Sequence, residues 1–160
     1  MPAELMEFTR ALARVPGPVT VATTVDDAGR RWGFTGTSFS SLSLDPPLVL
    51  ICLGKMASTH HAFTSAERFL VNVLAAGQSA VAQRFATSGI DRFAAGDMRP
   101  CEFGLPGLDS APVRLACALH DVLDGGDHSI LVGRVEALHT AEGTPLVYCD
   151  RTFGELLSAR

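Results

Sequence analysis

Hydroxylated and small side chains crowd into one stretch, Gly33-Phe34-Thr35-Gly36-Thr37-Ser38-Phe39-Ser40-Ser41-Leu42-Ser43-Leu44-Asp45-Pro46-Pro47-Leu48-Val49-Leu50. Such residues leave backbone N–H groups approachable and add side-chain donors, which is what a flat, polar-edged ring or a phosphate needs. By composition alone the stretch also reads as a strand with Thr and Ser on a solvated face. A little further on, Lys55 precedes Ser58 and Thr59 at the predicted start of a short helix. A cation beside hydroxyls at a helix N-terminus suits an anion, because unpaired N–H groups and the dipole favour negative charge there. Ser58 or Thr59 acting as a plain N-cap is compatible with that role.

His128 follows Gly125-Gly126-Asp127 and reads, from its neighbours alone, as a turn residue or a satisfied partial-core group more often than as a catalyst. His60 and His61 fall on the predicted short helix, and His120 and His139 in or beside strands. The four cysteines (Cys52, Cys101, Cys117, Cys149) are scattered with no Cys-x-x-Cys pair. Cys117 and His120 have ligand spacing, but they alternate within a β-rich segment and no second pair joins them, which argues against structural zinc. Neither a nucleophile triad nor paired carboxylates stand out. No Gly-x-Gly-x-x-Gly follows a strand, which argues against a Rossmann site.

The elements that must carry these groups are short. Leu5, Phe8, Leu12 and Val15 have helical spacing, ended by Pro16-Gly17-Pro18. Val19, Val21, Thr23 and Val25 alternate as a half-buried strand, and Arg30 to Phe39 returns as a second one after Asp26-Asp27-Ala28-Gly29. The apolar run Leu48 to Leu53 reads as a strand covered on both faces, and Phe69 to Leu74 as another. Helices are predicted over Ser58 to Ser65 and Gln78 to Ala86. Ser88 to Pro112 has no period and is long for a loop, as lids and subunit contacts often are. Val113 to Leu123 and Ser129 to Leu138 form long strands around a Gly-Gly turn, and Leu146-Val147-Tyr148 adds a last one. Strands with short helices inserted, rather than regular alternation, predict a mainly β, barrel-like fold (α+β).

The chain of 160 residues, 47% of them hydrophobic, fits one domain with a core that needs no metal or disulfide staple. A net charge of −4 with no basic run argues against nucleic acid and anionic membranes as partners. No apolar run approaches the roughly twenty residues of a membrane span, and the N-terminus lacks a signal-peptide core. Scattered thiols fit a reducing, cytoplasmic setting. Lys55 is the only lysine.

Several motifs in order resemble the flavin reductase family, the reductase components of two-component flavin-dependent monooxygenases. Gly33, Thr35, Ser38 and Phe39 lead into Ser43 to Val49 as in that family's Gly-x-Thr-x-Ser-Phe strand and its Ser-Leu-Asp-Pro-Pro-Leu-Val. Lys55 to Thr59 is similar to its Lys-x-x-Ser-Thr, and Phe69 to Leu74 to its Phe-x-Val-Asn-Val-Leu. Gln83-Arg84-Phe85-Ala86 carries its Phe-Ala pair. Gly126-Asp127-His128 before Gly133-Arg134-Val135 is similar to its late Gly-Asp-His. Each match is weak alone; five in order are specific.

The resemblance implies an FMN-binding split β-barrel over 1–160, a homodimer, and hydride transfer from C4 of NADH or NADPH to N5 of FMN or FAD. It implies flavin contacts at Thr35, Gly36, Thr37, Ser38, Cys52, Leu53, Gly54, Phe85 and Ala86, with Lys55, Ser58 and Thr59 on the phosphate. It also implies that His128 acts in catalysis where the nicotinamide approaches, together with Asp150, Arg151 and Phe153. The recipient of reduced flavin would be a partner monooxygenase. The chain departs from the family at Met98, where an aromatic residue is common. It departs again at Phe153, usually tyrosine, and at Cys149, usually more polar. Two other readings stay open: a flavin- or haem-binding split barrel without turnover, and a ligand-free dimeric interaction domain.

Overall fold

The computed structural model describes residues 2–157. Its helices are α1 (Ala3–Ala13), α2 (His60–Thr64) and α3 (Ser79–Ala86). Its strands are β1 (Gly17–Pro18), β2 (Thr20–Val25), β3 (Arg31–Gly36), β4 (Phe39–Ser43), β5 (Leu48–Gly54) and β6 (Arg68–Val73), then β7 (Arg99–Pro100), β8 (Pro106–Gly107), β9 (Val113–Asp124), β10 (His128–Thr140), β11 (Leu146–Cys149) and β12 (Thr152–Glu155). Seven of them form one antiparallel sheet in the order β3-β2-β6-β9-β10-β5-β4, and β1-β11-β12 form a second, smaller sheet. The protein is thus mainly β with short helices.

The sheet's two edges, β3 and β4, are neighbours in the chain, separated only by Thr37 and Ser38. The sheet must therefore curl until its edges approach each other. The Cys52 amide donates to the Ser38 carbonyl at 3.1 Å, which extends the β4–β5 ladder up to the switch between the two edges. Gly36 makes the approach possible, because a Cβ there would stand 2.9 Å from Ile51 Cδ1. The single strand expected from Arg30 to Phe39 is therefore two strands with different partners: β3 pairs with β2 and β4 with β5. Only Gly36 punctuates the switch at Thr37-Ser38, and a lone Gly within a run of strand formers does not separate a bulge from a strand end in the pattern.

β2 is buried on both faces, not half-buried as its alternation suggested. Val19 and Val21 join an outer cluster with Leu74, Phe85, Phe93 and Met98, while Ala22 faces an inner one with Phe34, Ile51, Phe63, Phe69 and Leu131. Thr20, Thr23 and Thr24 can be buried among them because each hydroxyl donates to a carbonyl, of Gly36, Pro106 and Arg68 respectively. Conversely, β5 alternates: Val49, Ile51 and Leu53 are buried, while Leu48, Leu50 and Cys52 are only partly covered.

The aperiodic segment 88–112 is a cover over the outer cluster. Phe93, Met98, Leu105, Leu108 and Ala111 are all buried. Asp97 accepts two bonds from Arg84 at 2.6 and 2.7 Å, and Glu102 pairs with the buried Arg114 at 2.8 Å. Helix α1 does the opposite, burying no residue and leaving Leu5, Met6, Phe8 and Leu12 exposed. No helix among the described residues is long and apolar enough to cross a membrane.

Candidate functional site

β5 ends at Gly54 and the chain turns into α2, which is pinned from two sides. Phe63 packs edge-on against Phe34, with ring centroids 4.8 Å apart, and His60 Nε2 lies 2.9 Å from the Ser129 hydroxyl. This fixes Thr59 beneath the turn. Thr59 stands at the N-cap position, yet its side chain caps nothing. It is 3% exposed, and its hydroxyl has no hydrogen-bond partner. An unpaired buried hydroxyl costs roughly 1–3 kcal/mol, so it marks a place where a partner is missing. With only five residues, α2 is shorter than predicted and brings little dipole of its own.

Thr59 borders a cleft of about 520 Å³ between the end of β5, the start of α2 and the C-terminal end of α3. Thr35, Cys52, Leu53, Gly54, Ser58, Phe85, Ala86 and His128 line it as well. Thus nine of the residues singled out in the sequence meet in one place, contributed by five segments of the chain. Thr35 Oγ1 donates to the Ala82 carbonyl at 2.6 Å and so ties β3 to α3. Burial pushes the Cys52 thiol up, which keeps it protonated in the wall. His128 Nδ1 lies 2.7 Å from Asp127 Oδ1, and that hydrogen bond holds the Asp127 carboxyl below its usual range.

Lys55 does not line this cleft. Its ammonium lies on Asp124 Oδ1 at 2.5 Å, across the β9–β10 hairpin, and its amide donates to the Asp127 carbonyl. The cation that does reach the cleft is Arg92, from the aperiodic segment. Its Nη1 donates to the Gly33 carbonyl at 2.7 Å and its Nε to the Thr87 carbonyl at 3.1 Å. No carboxylate pairs with it among the described residues. Burial lowers its pKa from the ordinary arginine value, the mark of a half-buried charge without a counter-charge. Sequence reasoning missed Arg92 because it sits in a run without period among twelve arginines.

The remaining expected residues lie around this cleft. Thr37, Arg151 and Phe153 line an adjoining open cleft of about 940 Å³ with Tyr148, whose ring stands 5.1 Å from that of Phe153. The two clefts meet at Thr35 and Ala86. His128 and Phe153 therefore flank the site from different sides and do not converge. Ser38 lines a further groove with Thr37 beside the end of α1. Gly36 is turned inward on Ile51. Asp150 and Arg151 form the β11–β12 turn, both with positive φ, and Asp150 reaches Arg14 at 3.2 Å. Met98 lies in the outer core, away from the cleft.

The class these features define is a mainly β protein with a curled antiparallel sheet and a hydroxyl-edged cleft that ends on a guanidinium with no counter-charge among the described residues. The chain belongs to the flavin reductase like domain family, which matches residues 12–157. It is 42% identical over 149 residues to the NADH:riboflavin 5'-phosphate oxidoreductase of Streptomyces pristinaespiralis, covering 91% of this chain and 85% of that one. It is 40% identical over 131 residues to HsaB, the reductase subunit of a flavin-dependent monooxygenase in Mycobacterium tuberculosis, covering 82% and 70%. Among solved structures, the NADH:FAD oxidoreductase of Streptomyces globisporus, in complex with NAD and FAD fragments, superposes with a TM-score of 0.91. That match is 34% identical and covers 98% of this chain and 95% of the other.

Proposed function

We propose that the protein is an NAD(P)H:flavin oxidoreductase that transfers hydride from NADH or NADPH to FMN or FAD and supplies reduced flavin to a partner flavin-dependent monooxygenase. The observation that carries this reading is the pairing of the orphaned Thr59 hydroxyl with the unpaired Arg92 at one end of the cleft. A phosphate there would satisfy both at once, through charge-assisted hydrogen bonds. Ser58 adds a hydroxyl beside them. Thr35, Thr37 and Ser38 edge the seam between β3 and β4. Cys52, Leu53 and Gly54, at the end of a strand, offer backbone groups to a ring edge, and Phe85 and Ala86 close the opposite wall.

A flavin held in this cleft supplies the hydride acceptor and the redox chemistry. The residues of the chain bind it, orient it and line the approach of the donor. Phe85 and Leu53 keep water from one side. His128, steadied by Asp127, and the pair Tyr148–Phe153 border the two sides from which a nicotinamide would come, with Arg151 at the rim. Holding two rings within roughly 3–3.5 Å and aligned is the main contribution open to such a site.

The reading includes the split-barrel form of the fold as one domain, a cytoplasmic setting that suits four unpaired cysteines, and a homodimer. The dimer is supported by α1, none of whose apolar side chains is buried by the described residues, and by Leu44, 95% exposed beyond the edge of β4. The segment 88–112 no longer argues for it, since packing within the chain accounts for that segment. NADH and NADPH oxidation measured with FMN, FAD and riboflavin in turn tests the activity; no acceleration over the uncatalysed rate with every pair would overturn it. Light scattering that gives a fully active monomer would overturn the dimer.

A further inference from the structure

Lys55 is the only lysine in the chain, and the flavin cleft does not use it. It stands one residue past Gly54, where the ladder between β5 and β10 ends on the pair Gly54–His128. Beyond that pair the β9–β10 hairpin runs on as a tip in which residues 121–128 are all exposed. Hairpin ends with so little buried surface belong to the least stable parts of a fold. Two hydrogen bonds tie the tip back to the body of the protein, and Lys55 makes both. Its amide donates to the Asp127 carbonyl at 2.9 Å, and its ammonium lies on Asp124 Oδ1 at 2.5 Å. Among the described residues, 124–127 makes no other hydrogen bond to a group outside the hairpin.

Each end of this tether leads on toward the histidine. Asp124 also accepts from the Gly126 amide at 3.2 Å, which closes the turn on itself. The Lys55 ammonium, and after it that amide, hold the Asp124 carboxyl below its usual range. Asp127 receives the Lys55 amide on its carbonyl, while its carboxylate lies 2.7 Å from His128 Nδ1. One residue thus takes the tether on its backbone and aims the imidazole with its side chain. With Nδ1 engaged, Nε2 is left facing the end of β5 at the cleft.

We propose, resting on the reading above that His128 borders the nicotinamide, that Lys55 is a positioning residue for hydride transfer. It ties the hairpin tip to the turn after β5 and so holds His128 at a fixed place beside the flavin. That turn leads into Ser58 and Thr59, so the segment that holds the flavin and the histidine that meets the donor move as one body. Lys55 touches neither flavin nor nicotinamide; it acts through Asp124 and Asp127. Its side chain matters because transfer between two rings depends steeply on their alignment.

The test compares wild type with Lys55→Met, Lys55→Arg, His128→Ala and the double variant Lys55→Met/His128→Ala. NADH oxidation and single-turnover reduction at saturating FMN, fluorescence titration with FMN and thermal melting are measured on each. An exposed ion pair is weak, so Lys55→Met should lower kcat/KM for NADH and the single-turnover rate by about three- to fivefold. FMN affinity should stay within about twofold, since the pair lies outside the cleft, and the melting temperature should hold. Lys55→Arg keeps the cation and should recover most of the loss. In the His128→Ala background, Lys55→Met should add nothing further, because it acts through the histidine. Additive losses overturn the proposal, as does a Lys55→Met protein that matches wild type while His128→Ala is slow. A fall in FMN affinity as large as the fall in kcat/KM overturns it too and makes Lys55 a flavin ligand. If His128→Ala alone reduces flavin at the wild-type rate, the reading of His128 itself fails, and that single variant reports it.

Discussion

Phe85 lies against Gly33 with no room between them: a Cβ built on Gly33 would stand 2.7 Å from Phe85 Cε1 and 2.9 Å from Cδ1. The same ring meets Phe93 edge-on, with centroids 5.2 Å apart. Together with the bond from Thr35 to the Ala82 carbonyl, this contact clamps α3 onto β3 and sets the wall of the cleft. Gly33→Ala should therefore force Phe85 outward at a cost of about 1–3 kcal/mol, the usual range for overpacking. Thermal melting should show the loss, and flavin titration a weaker affinity. Adding Phe85→Leu should recover part of both, because the two sites share one contact. Additive losses in the double variant would show that the clamp is not the cause.

Thr59 allows a test in which binding and stability move in opposite directions. Thr59→Val removes a buried hydroxyl that has no partner in the free protein, so the melting temperature without flavin should hold or rise. The same change should weaken FMN by about tenfold or more, since a hydrogen bond to a charged group is worth roughly 1.5–3 kcal/mol. Riboflavin, which lacks the phosphate, should bind nearly as before. Parallel loss of stability and of both flavins would mean that the hydroxyl serves the fold.

Lys55 and Arg92 compete for the role of phosphate cation, and the geometry favours Arg92. Arg92→Ala should weaken FMN more than riboflavin. Lys55→Ala should have a smaller effect on FMN, matched by Asp124→Asn, because both changes open the same exposed pair. The order of the FMN dissociation constants decides between them; Lys55→Ala as the more damaging change would return the phosphate to Lys55.

How far the sequence could be read depended on whether the signal was local. The strands around Val19–Val25, Leu48–Leu53 and Phe69–Leu74 and the Gly-Gly hairpin at 125–126 follow from periodicity and turn chemistry, and all are present. The switch at Thr37-Ser38 was not legible, because it follows from closure of the sheet, and Gly36 alone is a weak signal for it. Likewise, burial of Thr23 and Thr24 depends on the carbonyls of Pro106 and Arg68, far along the chain. In the cleft, residues in motifs could be named in advance. Arg92 could not be, since only folding brings 88–112 over β3, and the pairing of Lys55 with Asp124 was equally beyond reach of the pattern.

The Glu102–Arg114 pair sets an acid limit on the cover over the outer core. Arg114 is 6% exposed and donates to both Glu102 oxygens, at 2.8 and 3.1 Å, and to the Leu108 carbonyl. The hydrogen bond from Arg114, before any other influence, holds the Glu102 carboxyl below the usual glutamate range. A carboxyl with a lower pKa folded than unfolded stabilises fully above its unfolded value, and that contribution is lost as pH falls through the folded one. Glu102→Gln should cost up to about 3 kcal/mol near neutral pH, because it leaves a buried guanidinium without its counter-charge. It should also flatten the decline in melting temperature below the ordinary glutamate range. An unchanged acid profile would assign that decline to other carboxylates.

His128 separates chemistry from structure most sharply. It pairs with Gly54 across β5 and β10, and its Nε2 would stand 3.8 Å from a Cβ on Gly54, so this nitrogen faces the end of β5 at the cleft. Nδ1 is engaged by Asp127, which sets the orientation of the ring. If His128 positions the nicotinamide, His128→Ala should leave the melting temperature and flavin affinity nearly unchanged. Hydride transfer should slow nonetheless, because a misaligned donor loses the benefit of orientation. The fall should appear in kcat/KM for NADH, and in kcat as well if the contact tightens toward the transition state. Asp127→Asn should give a milder form of the same defect, since the ring stays but its orientation loosens. Single-turnover reduction, flavin titration and thermal melting on both variants distinguish the cases. A lower melting temperature with unchanged reduction kinetics would leave His128 as the residue that closes the hairpin after Gly126.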